Sequence, residues 1–278
     1  MRLTIRAVST LVGLAFCVTW AAPAFAVLKC PADSVKVGNV CIDKYEASVW
    51  LIAPSETALI KKVQAGKAAL ADLMAAALQL GCTGAPFSQT AYPANFPADG
   101  NWTPPPSPGV YAVSIPGVLP STCTTWFQAV QACALSGKRL ARNEEWQRAA
   151  AGTPDPGTDN GTTDCNISAA GNPVNTGSRS NCKSSWGVFD MVGNVDEWVA
   201  DWADRATVGC TDWTTQTGIA GGDFSCFGGN GSGGFNQIPG ALFRGGNWFV
   251  GTSAGVFAVN AFNSPSGSGN VVGFRCAR

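Results

Sequence analysis

The side chains available for chemistry in this chain are carboxylates and cysteines, because the chain has no histidine. That absence removes every Ser-His-Asp or Cys-His arrangement, every histidine metal site and the usual general base near neutral pH. Of the eleven cysteines, Cys17 lies in an apolar N-terminal run, and ten follow at 30, 41, 82, 123, 133, 165, 182, 210, 226 and 276. None forms a Cys-x-x-Cys pair, so the spacing argues against a thiolate metal site. An even number in an exported chain implies up to five disulfides. Proximity nominates Cys30–Cys41, Cys165–Cys182 and Cys210–Cys226 as local staples; counting alone does not fix the pairing.

Two carboxylate motifs stand out. Gly137-Lys138-Arg139-Leu140-Ala141-Arg142-Asn143-Glu144-Glu145-Trp146 reads as a tight turn into a helix whose first turn carries acids. Acids there favour the positive end of the helix, so a structural role for Glu144 and Glu145 outweighs a catalytic one. In Asp190-Met191-Val192-Gly193-Asn194-Val195-Asp196-Glu197-Trp198, the oxygens of Asp190 and Glu197 plus main-chain carbonyls could surround a hard cation such as calcium. A surface turn with solvated acids is an equal reading of the same residues. Finally, no charged residue occurs from Asn247 to Val272. This stretch lacks strand or helix periodicity and reads as an irregular, partly buried loop.

These motifs need elements to hold them. Strands are expected within Val35–Val49 around Gly38-Asn39, and one helix over Ser55–Leu80 stopped by Gly81. Residues 83–121, rich in Pro, Gly, Ser and Asn, read as a long loop outside the core. Further helices are expected at Thr125–Ser136 and from Asn143, as N-cap, to Ala151. Past Gly152 the chain should be irregular, with short strands pinned by disulfides.

Composition sets the frame. At 46% apolar and 13% charged, the chain folds rather than staying disordered. Eighteen basic and eighteen acidic residues cancel, which leaves no footprint for nucleic acid or an acidic membrane. Arg2 and Arg6, an apolar run and Ala24-Phe25-Ala26 read as a cleavable export signal over residues 1–26. The expected destination is the periplasm, the cell surface or the medium, with no transmembrane segment in the mature chain.

Taken in order, Ile42-Asp43-Lys44-Tyr45-Glu46-Ala47, the Gly137–Trp146 motif, Gly193–Trp198, Arg244-Gly245-Gly246 and Gly273-Phe274-Arg275-Cys276 resemble the formylglycine-generating enzyme (sulfatase-modifying factor) family. The resemblance implies an α+β, C-type-lectin-like fold. It covers about residues 33–52 and 122–278: N-terminal strands in 27–52, an insertion at 53–121 and a core at 122–278. One departure is Asp196, where the family usually has Trp. The resemblance also implies a Cys133–Cys276 disulfide and calcium on Asp190, Gly193, Val195 and Glu197. A second calcium set would fall on Asn166, Ile167, Asn175 and Gly177.

The family's oxidase uses two copper-binding cysteines shortly after the Gly-Gly pair. Those places here hold Val250 and Gly255, neither with a metal ligand, so copper and the oxidase chemistry are expected to be absent. A second resemblance, to variable proteins of diversity-generating retroelements, rests on Arg244-Gly245-Gly246-Asn247-Trp248 and Gly273-Phe274-Arg275, which bracket a C-terminal variable region at 247–272. In such elements a randomised Asn codon never yields Lys, Glu, Gln, Met or Trp. Residues 249–272 contain none of these five. The resemblance implies variation at Phe249, Val250, Ser253, Asn260, Ala261, Phe262, Asn263, Gly267, Gly269, Asn270 and Val271, with the two phenylalanines as apolar anchors or as core.

The leading expectation is therefore an exported, non-catalytic binding protein whose diversified C-terminal face meets an unnamed protein or surface ligand. The competitors are a formylglycine-generating oxidase, an enzyme using Glu144, Glu145 or Glu197 elsewhere on the fold, and a fixed lectin-like module.

Overall fold

The computed structural model describes residues 28–101, 109–155, 158–203, 211–212, 224–226 and 239–278, with backbone alone at 211–212, 224–226 and 262. The export signal, Cys17 and the Cys210–Cys226 pairing lie outside the described residues. No helix among those described is long and apolar enough to cross a membrane.

The class is α+β, as expected, with short strands, four α-helices and long loops among the described residues. The first hairpin, β1 (Ser34–Val37) and β2 (Val40–Asp43), turns at Gly38-Asn39, where Gly38 takes a φ of +63°. β3 (Ala47–Ile52) is covered on both faces: Ala47 and Val49 enter one apolar cluster, Trp50 and Ile52 another.

The single helix expected over Ser55–Leu80 is three elements: α1 (Thr57–Gln64), α2 (Leu70–Ala76) and β4 (Ala77–Leu80). Gly66, at a φ of +65°, ends α1. Asp72 then starts α2 by accepting from the Ala69 N–H at 3.0 Å. β4 leaves the helical path because it pairs antiparallel with β3.

The stretch 83–121 also departs from expectation. It contains β5 (Val110–Ser114), buried throughout and paired with the other edge of β3. Phe96, Val110 and Ala112 share a core cluster with Ala129, Trp198 and Phe274. The segment read as a decorating insertion is thus partly core. The flanking Gly and Pro residues mask a run of only five strand residues.

α3 (Trp126–Leu135) begins as expected at Thr125, whose hydroxyl accepts from the Gln128 N–H at 3.2 Å. β6 (Arg139–Leu140) leads into α4 (Asn143–Ala150). The cap of α4 is Arg142 rather than Asn143, and the Glu145 carboxylate accepts the Arg142 N–H at 2.9 Å. β7 (Asp196–Ala203) is followed by β8 (Thr211–Asp212), β9 (Phe224–Cys226), β10 (Gly240–Arg244), β11 (Val259–Asn263), β12 (Val272–Phe274) and β13 (Cys276–Ala277).

The strands form three sheets, in the orders β1-β2-β13-β6, β12-β7-β10-β11-β9-β8 and β4-β3-β5. Four disulfides link the described residues. Cys30–Cys41, Cys165–Cys182 and Cys133–Cys276 match expectation; Cys82–Cys123 adds a pairing that proximity had not suggested. Cys133–Cys276 closes a separation of 143 residues and fastens α3 to the last strand. Such a cross-link stabilises by about 4–5 kcal/mol in the chain-entropy model.

Candidate functional site

Under the C-terminal stretch lies a buried acidic group around one arginine. Glu46 follows β2, Asp190 and Asn194 sit in the turn before β7, Glu197 is in β7, and Arg275 separates β12 from β13. Asp190 and Asn194 both take positive φ, 59° and 58°, which lets the turn fold back sharply. Glu197 accepts from Arg275 Nε at 2.6 Å and from Trp146 Nε1 at 2.8 Å, and its second oxygen meets Arg275 Nη2. Glu46 accepts the Val195 N–H and the Asn194 amide, while Asn194 Oδ1 accepts from Val174 N and Asn166 Nδ2.

Burial, with Asp190 and Glu197 adding repulsion, holds the Glu46 carboxyl well above its usual range. Burial pushes Asp190 up to about 7, against the Gly177 N–H it accepts at 2.7 Å. It pushes Asp196 to about 7 as well, opposed by the Asn247 amide at 2.7 Å.

The structure brings the two expected calcium sets next to each other. Gly177 touches Asp190 through that hydrogen bond. At Gly193, where φ is +72°, a side chain would come within 2.3 Å of the Asn166 carbonyl, so only glycine lets the two segments meet. Asn166 Oδ1 is buried with no partner, an oxygen suited to a hard cation. Glu197 fits a guanidinium instead, since both its oxygens are taken. In α4, Glu145 clasps Arg139 at 2.6 and 2.7 Å, and Glu144 is exposed.

The stretch 247–272 covers this base. Gly246 starts it at a φ of +77°, where a Cβ would lie 2.5 Å from the Ala254 backbone. Asn247 binds Asp196 and accepts the Phe249 N–H at 3.2 Å; the Trp248 N–H reaches the Asn194 carbonyl at 3.1 Å. A 3-10 turn at Gly251–Ser253 follows, with the Gly251 N–H on the Ile167 carbonyl at 2.9 Å. Farther along, the Val256 N–H meets Asp155 at 3.2 Å and its carbonyl meets Gln147 at 3.0 Å. Carbonyls of Pro265, Gly269 and Val271 accept from Trp126, Cys123 and Asp196. The main chain is therefore tied to groups outside the stretch, with little use of its own side chains.

Those side chains fall into distinct places. Phe249 is 57% exposed, and Asn270 is exposed. Val250, Ser253, Asn260, Asn263, Gly267, Gly269 and Val271 are half-buried. Val250, at one position where the oxidase family has copper-binding cysteine, packs on the cluster of Ile167, Val192 and the Cys165–Cys182 bridge; Gly255, at the other, donates its N–H to the Gly245 carbonyl. Ala261 departs from the expected set. It is fully buried beside Val199 and Leu242, so its side chain lies in the core rather than on the surface. The side chain of Phe262 lies outside the described residues. Phe257, 36% exposed, and Thr252 belong to the surface although the motif reading passed over them. The charge-free boundary at 247–272 would have included both.

A family model described as the sulfatase-modifying factor enzyme 1-like domain matches residues 60–278. No curated protein sequence matches the chain. Among solved structures, the Major Tropism Determinant P3c variant is 21% identical, with a TM-score of 0.43 over 89% of this chain and 52% of its own. CarF is 17% identical, with a TM-score of 0.40 over 88% of this chain and 92% of its own. Variable protein 1 of Treponema denticola is 21% identical, with a TM-score of 0.36 over 57% and 70%. The matches span only 37–53% of the length of the four Major Tropism Determinant variants.

Proposed function

The chain belongs to the sulfatase-modifying factor enzyme 1-like family, and from that premise we propose that it is a non-catalytic member: an exported binding protein whose C-terminal stretch, residues 247–272, is a diversified ligand face. The carrying observation is the way this stretch is held. Its backbone is fixed through main-chain atoms to Asn194, Ile167, Asp155, Gln147 and Trp126, while Phe249, Asn270 and their neighbours reach solvent. Side-chain identity can then change with little change of backbone. A pre-ordered loop also loses little conformational entropy on binding, which favours affinity. The partner is a protein or surface ligand of unspecified identity, and no nucleic acid is expected on a chain of zero net charge.

Four disulfides support an oxidising compartment outside the cytoplasm. Val250 and Gly255, where the oxidase has its copper cysteines, support the loss of that chemistry. Calcium belongs to the same proposal. Asn166 with Ile167, Asn175 and Gly177 would hold one ion as a structural clamp, supported by the unpartnered Asn166 oxygen. The second set, Asp190, Gly193, Val195 and Glu197, would require Glu197 to loosen its hold on Arg275. Chelator should then lower the melting temperature of purified protein, and added calcium should restore it; an unchanged melting curve would remove calcium from the proposal.

The binder reading is tested in DNA. The 3′ end of the gene, sequenced across many cells of one population, should vary at codons within 249–271. A nearby template copy should differ where it carries adenine. Invariant codons without a template would sink the diversified face. Formylglycine formed in a sulfatase-motif peptide by the purified protein with Cu(I) would show the oxidase instead.

A further inference from the structure

One residue within the C-terminal stretch is gripped from two sides by side chains that lie outside it. The Val256 N–H donates to Asp155 Oδ2 at 3.2 Å. The Val256 carbonyl accepts from Gln147 Nε2 at 3.0 Å and from Arg244 Nη2 at 3.3 Å. The same guanidinium bonds the carbonyls of Phe257, at 3.3 Å, and Ala258, at 2.8 Å, and Gln147 Oε1 accepts from Arg244 Nη2. Arg244 itself lies over the Trp146 ring, its guanidinium carbon 4.8 Å from the ring centre. Trp146 is fully buried and anchored to Glu197 by its ring nitrogen. Two of the three gripping residues stand on regular elements, Gln147 on α4 and Arg244 at the end of β10.

This arrangement exceeds what covering a core requires. Phe257 is 36% exposed and Val256 only partly buried, so the peptide stands at the surface. A surface loop rich in Gly, Ser and Ala would ordinarily sample several conformations, and ordering it on ligand contact would cost affinity. A residue whose N–H and C=O are both bonded to side chains outside the stretch is restricted in conformation before any ligand arrives.

We propose that Gln147, Asp155 and Arg244 are positioning residues that hold the Val256–Ala258 backbone in a single conformation and so fix where the Phe257 ring stands on the ligand face. The proposal rests on the binder reading for the meaning of that face, but the ordering itself is a property of the free protein. A loop held by the packing of its own side chains would give these three hydrogen-bonding groups no role.

Hydrogen exchange followed by mass spectrometry on the purified full-length mature protein, without ligand, tests it. Asp155→Ala and Gln147→Ala should each speed exchange in peptides covering 255–259 by about tenfold, the loss of roughly one hydrogen bond's worth of local stability. Peptides covering 40–52 and 126–135 should exchange as before. Asp155→Asn keeps an acceptor oxygen and should restore slow exchange. Unchanged exchange at 255–259 in the Asp155→Ala/Gln147→Ala double variant would overturn the proposal. Faster exchange throughout the chain with a lowered melting temperature would overturn it too, because the residues would then be general supports. Invariant codons in the gene would refute the binder reading while leaving this measurement intact.

Discussion

The base and the face of this molecule solve the problem of holding a loop in opposite ways. In the base, side chains do the holding. Lys138, its ammonium fully buried, bonds Asp33 and Asp43 at 2.7 Å each, and Arg275 joins Glu197 to the carbonyls of Asp43 and Phe189. In the face, the backbone is held and Phe249, Thr252, Phe257, Ser266, Ser268 and Asn270 are left exposed. Changing a residue in the base removes a tether; changing one of these exposed residues alters mainly what is displayed. Charge follows the same division. The base concentrates ionisable groups where partners are fixed, whereas residues 247–272 contain no charged residue. An unpaired charge costs most where it is buried, so a region with prescribed partners can use charge and a region of changing residues does better without it.

Four substitutions would break or sharpen that contrast. Lys138→Met should cost most, about 3–5 kcal/mol, because it leaves the buried Asp43 carboxylate without its cation, while Asp33 keeps Arg278 at 3.0 Å; urea denaturation of the purified protein measures it. Next comes Ala261→Asp, inside the charge-free stretch but in the core, at about 3 kcal/mol for an unpaired buried carboxylate. A loss below about 0.5 kcal/mol would place Ala261 on the face after all. Gly246→Ala should cost about 2 kcal/mol, from positive φ and the collision with Ala254, read as a fall in melting temperature. Phe249→Ser should change stability by no more than about 0.5 kcal/mol, as an exposed position does. A large loss there would mean that the ring supports the fold, and the division between base and face would fail at its most exposed point.

Much of the base was legible in sequence because it is built from ordered motifs. Asn194 and Glu197 belong to a carboxylate motif that stands out on residue type, whereas the segments holding Glu46 and Arg275, like Cys133–Cys276, came with the family resemblance. What stayed hidden was pairing between distant segments. β5 is five residues between Gly109 and Pro116, too short for periodicity to announce. β4 follows directly on α2, and only its partner β3 makes it a strand. Within the face, the burial of Ala261 could not be read from a stretch without period, since it depends on β11 lying between β10 and β9. The roles of Gln147 and Asp155 left no signal at all, because each acts on a backbone about a hundred residues away and that backbone can carry any side chain.

The chain returns to the core after the face. Gly273, Phe274, Arg275 and Cys276 are all buried, and they deliver the central guanidinium, the last core phenylalanine and the sulfur that reaches α3. A stop or a shifted frame within codons 247–272 would deprive Glu197 of its partner and Cys133 of its bridge. The segment that follows the face is thus a condition for the base beneath it: any sequence displayed in between must still deliver the arginine and the cysteine.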